Sequence, residues 1–157
     1  MKKILTVFFV VGVLLTAGVL AQDRATAKVA INGKNIEIEY GTPSLQGRDM
    51  LSRLPVGGTW RMCMNAATTL KTDGALSIGG ETIAAGEYTL TAKRVEEEKW
   101  HLIIAQGESK IEVPLTGEAA GSSVETFKID LTSKGGNAGQ FTMAWGSMKQ
   151  GTGFTVE

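Results

Sequence analysis

The strongest constraint on this chain is an alternation of apolar and polar residues with a period of two, cut at short intervals by glycine- and asparagine-containing turns. Residues 124–131 show it plainly: Phe127, Ile129 and Leu131 share one parity, and Lys128, Asp130 and Thr132 share the other. That is the pattern of a strand with one buried face. Phe141, Met143 and Trp145 repeat it until Gly146 breaks it, and residues 152–156 supply a closing strand. Near the other end, Asn32-Gly33 separates 28–31 from 35–40, which predicts a type I′ hairpin with Val29 and Ile31 inward opposite Ile36, Ile38 and Tyr40. Strands are expected at 67–72 and 75–78, with turns at Asp73-Gly74 and Gly79-Gly80. A longer hairpin joins 86–95 to 100–105 through Glu96, Glu97 and Glu98, and its run Leu102 to Ala105 is apolar on both faces, the mark of a central strand. Pro114 restricts 111–115 to an edge; 117–123 is a loop and 134–139 a turn. About ten short strands, 20 glycines and no long helical period beyond the N-terminus predict an all-β antiparallel sandwich of two packed sheets.

Ahead of the first strand, Lys2 and Lys3 precede an apolar run at 4–20, and Val19 and Ala21 stand where a signal peptidase reads small residues before Gln22. The run is shorter than the roughly 20 residues of a membrane span and contains Thr6, Gly12, Thr16 and Gly18. The expectation is a signal peptide over 1–21 and a single β-sandwich domain over 22–157, periplasmic or secreted. The membrane would be touched only through the signal segment before cleavage; a retained anchor is the alternative. Removing Lys2 and Lys3 from 16 basic residues against 16 acidic ones leaves an acidic excess of two, and the basic residues are dispersed, so no nucleic-acid partner is implied. Cys63 is the only cysteine, so packing and sheet ladders must hold the exported fold without an internal disulfide.

The stretch 40–70 departs from the regular alternation. Gly41, Pro43 and Ser44 take the chain out of its sheet, and Met50, Leu51 and Leu54 are spaced for one helical turn lying on the sandwich. Pro55, Gly57 and Gly58 stop that turn, and an extended pattern resumes at Thr59, with Trp60, Met62 and Met64 on one face and Arg61, Cys63 and Asn65 on the other.

Tyr40, Pro43, Ser44, Gly47, Arg48, Leu54, Pro55, Gly58, Trp60, Arg61, Asn65, Ala67 and Thr68, followed by Ala85, Gly86 and Tyr88, resemble the uncharacterised bacterial family DUF2911. Phe127, Ile129, Trp145, Gly146 and residues 154–156 resemble its closing strands. The resemblance implies a small β-sandwich outside the cytoplasm and brings no established activity. Where a motif of the form G-A-N-E-A-T is expected, this chain has Cys63, Met64, Asn65, Ala66, Ala67 and Thr68. The glycine and the carboxylate are both missing, which leaves any role of that carboxylate without its residue here.

Residues able to carry chemistry are few. His101 is the sole histidine and sits in a strand with no G-x-S-x-G motif to accompany it, so a histidine-rich metal site is not available. Glu96, Glu97 and Glu98 read as a solvated turn, without the spacing of a calcium loop. No phosphate-cradling glycine motif occurs, and no metal or cofactor is expected. Trp60, Trp100 and Trp145 occupy inward parities and are expected in the core. What remains is a polar cluster of Arg48, Asp49, Arg61, Asn65 and Thr68. One reading makes it a pocket whose arginines bind a carboxylate. The other has Arg48 and Arg61 tie the 41–58 segment down through its backbone carbonyls. The functional expectation is a non-catalytic module binding a small molecule or an envelope protein. The alternatives are a hydrolase using Arg48, Arg61 and Asn65 with His101, and a structural envelope protein recognised through a sheet edge.

Overall fold

The computed structural model describes residues 24–62, 66–118 and 121–157. They form an antiparallel β-sandwich. Its strands are β1 Arg24–Ile31, β2 Lys34–Gly41, β3 Thr59–Trp60, β4 Thr68–Thr72, β5 Leu76–Ile78, β6 Glu81–Ile83, β7 Gly86–Arg94, β8 Trp100–Gln106, β9 Ser109–Pro114, β10 Thr116–Gly117, β11 Val124–Gly135, β12 Ala138–Gly146 and β13 Met148–Val156. Sheet I runs β1-β2-β4-β7-β8-β9, with β3 also on β7, and sheet II runs β11-β12-β13-β5-β6, with β10 on β13. The β7–β8 hairpin is interior to its sheet and β9 is an edge, as the apolar run and Pro114 predict.

The turns follow their chemistry. Asn32 and Gly33 have φ of 51° and 73°, the left-handed pair a type I′ turn requires. Alternation then sorts the side chains: Ile36, Ile38, Leu90 and Leu102 of sheet I face Phe127, Ile129, Phe141 and Met143 of sheet II, all buried. At one end of the sandwich the core becomes aromatic, with Trp60 against Phe127, Trp100 and Trp145, and Phe127 also against Trp145.

Residues 42–58 cross that end as a strap from sheet II to sheet I. On the sheet II side, Leu45 N–H donates to the Glu125 carbonyl at 3.0 Å and Phe127 N–H to the Pro43 carbonyl at 2.9 Å. On the sheet I side, Gly57 N–H reaches the Arg94 carbonyl at 2.6 Å and Arg94 N–H the Gly58 carbonyl at 3.0 Å. The helical turn expected from Met50, Leu51 and Leu54 does not form, and no helix occurs among the described residues. Two reverse turns replace it, closed by Leu54 N–H to Leu51 carbonyl and Gly58 N–H to Pro55 carbonyl. Asp49 Oδ1 accepts the Ser52 N–H at 3.1 Å, a local bond that favours a turn over a continuing helix, and Pro55 forbids continuation.

The extended run expected from Thr59 is likewise shorter. It stops at Trp60, and Met62 adopts φ 56°. β3 and β4 both pair with β7, with Trp60 opposite Ala92 and Thr68 opposite Leu90, so on β7 only Thr91 separates the two pairings. The described residues on either side of this gap, Met62, Ala66 and Ala67, are held by side chains. Thr68 Oγ1 donates to the Met62 carbonyl at 2.8 Å, and the Arg24 guanidinium donates to the Ala66 and Ala67 carbonyls at 3.2 Å each. The expectations for residues 1–21, Cys63 and Asn65 fall outside the described residues.

Candidate functional site

The strap does not lie flat. Between it and the aromatic end of the core is a cleft of about 480 Å³ lined by Pro43, Ser44, Gln46, Arg48, Met50, Leu51, Arg53, Leu54, Trp60 and Trp145. Its floor is a stacked indole pair: Trp60 and Trp145 have centroids 5.2 Å apart and planes 14° from parallel. Trp145 is 3% exposed and spends its indole N–H on the Glu125 carbonyl at 3.1 Å, so it is a fixed surface. Trp60 is only half-buried, because β3 ends immediately after it, and it also meets Phe127 and Trp100 edge-on. Trp100, like Trp145, is core as expected. The walls are apolar strap side chains, and Arg48 and Arg53, both exposed, bring positive charge to the rim.

A second cleft, of about 550 Å³, opens on the other side of the strap. Asp49, Ser52, Glu97, Glu98, Glu118 and Gln150 are among its lining residues, and Leu51 contributes to both clefts. Asp49 is held below the usual carboxylate range by the Ser52 N–H first and then by the Ser52 hydroxyl.

The polar cluster expected from sequence is therefore dispersed. Arg48 lines the aromatic cleft and donates through Nε to the Leu45 carbonyl at 3.3 Å, a contact within the strap. Its neighbour Asp49 lines the other cleft. Arg61 is exposed, with no hydrogen-bond or ion-pair partner among the described residues, and Thr68 is fully buried with its hydroxyl committed to the Met62 carbonyl. The clamp on the strap is Arg94, whose guanidinium donates to the carbonyls of Leu51 at 3.3 Å, Leu54 at 2.8 Å and Glu97 at 2.8 and 3.0 Å. Nothing local in the sequence marks Arg94 for this. Nor does the sequence single out Arg53 or the pairing of Trp60 with Trp145; the signal it carries for the pair is the matched inward parity of the two tryptophans.

His101 lines neither cleft. It is on the outer face of sheet I, where Nδ1 lies 2.8 Å from Glu112 Oε1 and Lys93 Nζ approaches the same oxygen at 3.5 Å. The His101 hydrogen bond is the main reason the Glu112 carboxyl sits below its ordinary range, with the Lys93 charge adding to it. Among the described residues no group of three or more histidine, cysteine or acidic side chains is placed to hold a metal ion.

Fold and site together define an all-β sandwich of two antiparallel sheets, strapped at one end and carrying a cleft on each side of the strap. The chain belongs to the family described as a protein of unknown function, DUF2911, which matches residues 22–153. No curated protein and no solved structure matches it.

Proposed function

We propose that this protein is an exported, non-catalytic binding module that takes a small amphipathic anion in the aromatic cleft. One observation carries the reading: a stacked tryptophan pair, half-buried Trp60 on buried Trp145, floors an apolar pocket whose rim holds two exposed arginines. Specific small-molecule sites combine a mostly apolar wall with a few polar groups that fix orientation. Here Trp60, Trp145, Met50 and Leu54 suit the body of a ligand, and the forked donors of Arg48 or Arg53 suit a carboxylate or phosphate at its head. Export is supported by the Lys2, Lys3, apolar run and Ala21 order, which would put the cleft in the bacterial envelope or outside the cell. The arginine site expected from sequence keeps Arg48 and replaces Arg61 and Asn65 with Arg53 and the two indoles.

Tryptophan emission reports directly on this floor. Titrating the purified protein with decanoate and 1-naphthoate, beside decanol and methyl 1-naphthoate, is expected to give a saturable change with the anions and a weaker one with the neutral partners. Both arginines are exposed, so Arg48→Gln with Arg53→Gln should keep the fold and lose the preference for charge. An unsaturable response to all four compounds, or an undiminished response in the double variant, would remove the reading.

A further inference from the structure

We infer that the second cleft is a site for a primary ammonium group carried on a short aliphatic chain. The inference is independent of the aromatic cleft and starts from one side chain. Gln150 lies on β13, is 5% exposed and lines the second cleft. Its Nε2 donates to the Glu98 carbonyl at 3.2 Å, and exchanging the amide's nitrogen and oxygen would set two acceptors against each other, so the orientation is fixed. Oε1 is then left buried with no hydrogen-bond partner, the one such atom among the described residues. Buried acceptors are paired in nearly all folded proteins, so Oε1 needs a donor that none of the described residues supplies, a water or a ligand group.

The surroundings say what kind of donor. Asp49, Glu97, Glu98 and Glu118 line the cleft against two cations, Arg94 and Lys149. Arg94 is spent on carbonyls and Lys149 pairs with Glu118 at 3.2 Å, which leaves three carboxylates with no ion-pair partner among the described residues. That field repels anions and draws cations. A bare metal ion fits poorly, because no set of three acidic, histidine or cysteine side chains converges there among the described residues. An ammonium offers three N–H donors, enough to meet Gln150 Oε1 and carboxylates together. Trp100, which also lines the cleft, gives an aromatic surface for the methylene chain and attraction for the charge.

The site is built from both sheets, since Glu97 and Glu98 sit in the β7–β8 turn while Glu118 and Gln150 come from the β10–β13 side. The Gln150 bond to the Glu98 carbonyl joins the two.

Calorimetric titration of the purified protein at low ionic strength with 1,5-diaminopentane tests this, with tetramethylammonium as a cation that has no N–H to donate. Saturable binding of the diamine is expected, with tetramethylammonium weaker by about tenfold or more, since it cannot satisfy the orphan acceptor. Gln150→Leu should weaken the diamine by a similar factor. Glu98→Gln combined with Glu118→Gln, both at exposed positions where a folding defect is not expected, should weaken it several-fold, as should added salt. Arg48→Gln with Arg53→Gln should not weaken it, since Arg53 acts on the Asp49 carboxylate as a competing positive charge, which separates this site from the aromatic cleft. Absence of saturable heat with the diamine, equal binding of tetramethylammonium, or undiminished binding in the glutamine-substituted pair would each overturn the proposal.

Discussion

Arg94 Nη1 lies 2.8 Å from the carbonyl oxygen of Leu54, so a residue at the end of a sheet I strand anchors a turn laid down far earlier in the chain. The same nitrogen reaches Leu51, and the Arg94 backbone pairs with Gly57 and Gly58. Side chain and main chain of one residue thus hold the strap that forms a wall of both clefts.

Arg94→Ala is expected to cost about 1–3 kcal/mol, because it strands the part-buried Leu54 carbonyl, which has no other partner among the described residues, while the Leu51 carbonyl keeps the Leu54 N–H. The backbone bonds to Gly57 and Gly58 survive, so the strap should loosen without detaching. Arg94→Lys should recover only part of the loss, since one ammonium cannot span three carbonyls as a guanidinium fork does. Thermal melts measure the cost, and faster tryptic cleavage after Arg48 and Arg53 reports the loosening. Unchanged cleavage would mean that the backbone bonds alone hold the strap.

The outer face of sheet I gives a pH prediction. Glu112 has a folded pKa below its ordinary value of 4.5, owing first to the His101 hydrogen bond. A carboxyl depressed on folding contributes stability that is fully present above its unfolded pKa and is lost as pH falls through the folded one. Wild-type protein should therefore lose this contribution only below about pH 4.5, whereas Glu112→Gln should lack it throughout and show a flatter melting profile on acidification. The contribution is small because the pair is solvent-accessible. Parallel melting curves between neutral pH and pH 3 compare the two slopes.

Much of this architecture was legible because alternation and turn chemistry are local. Asn32-Gly33 needs no partner to declare a hairpin, and Phe127 and Ile129 declare their face by spacing alone. The family resemblance is of the same kind, and the match over 22–153 bears it out. The clefts were not legible, because their geometry depends on how an irregular segment lies over the sandwich. Arg48 and Asp49 are adjacent in sequence and were read as one cluster, yet in a chain of consecutive turns they line opposite clefts. Parity predicts Trp60 in the core. Its parity is right, but the strand ends with it, so nothing continues the sheet to finish covering it.

Gly139 marks another limit of local reading. It falls in a segment read as a turn, but it is a buried strand residue on β12. A Cβ at this position would come within 2.6 Å of Phe154 Cε2 and 2.8 Å of Ile31 Cδ1, against the buried ring of Phe154. Gly139→Ala should therefore destabilise by about 1–3 kcal/mol through overpacking, despite alanine's better fit to most strand positions. Phe154→Leu, which removes the ring, should recover part of the loss in combination, and a double-mutant cycle by denaturant melts would reveal the coupling.

The last prediction contrasts Trp60, the last residue of β3, with Arg61, the exposed residue that follows it. Complete truncation of a buried tryptophan costs about 3–5 kcal/mol, but Trp60 is half-exposed to the cleft and has less to lose. Its stack on Trp145 and edge contacts with Phe127 and Trp100 remain. Aromatic pairs are worth about 0.5–1.5 kcal/mol each beyond area, so Trp60→Ala should cost about 2–3 kcal/mol. Arg61→Ala, at an exposed position without a partner among the described residues, should stay within about 0.5 kcal/mol of wild type. Urea melts of the two variants give both numbers. A loss of similar size in Arg61→Ala would mean that Arg61 anchors the chain where it leaves β3, while a silent Trp60→Ala would mean that Trp145 closes the core end alone.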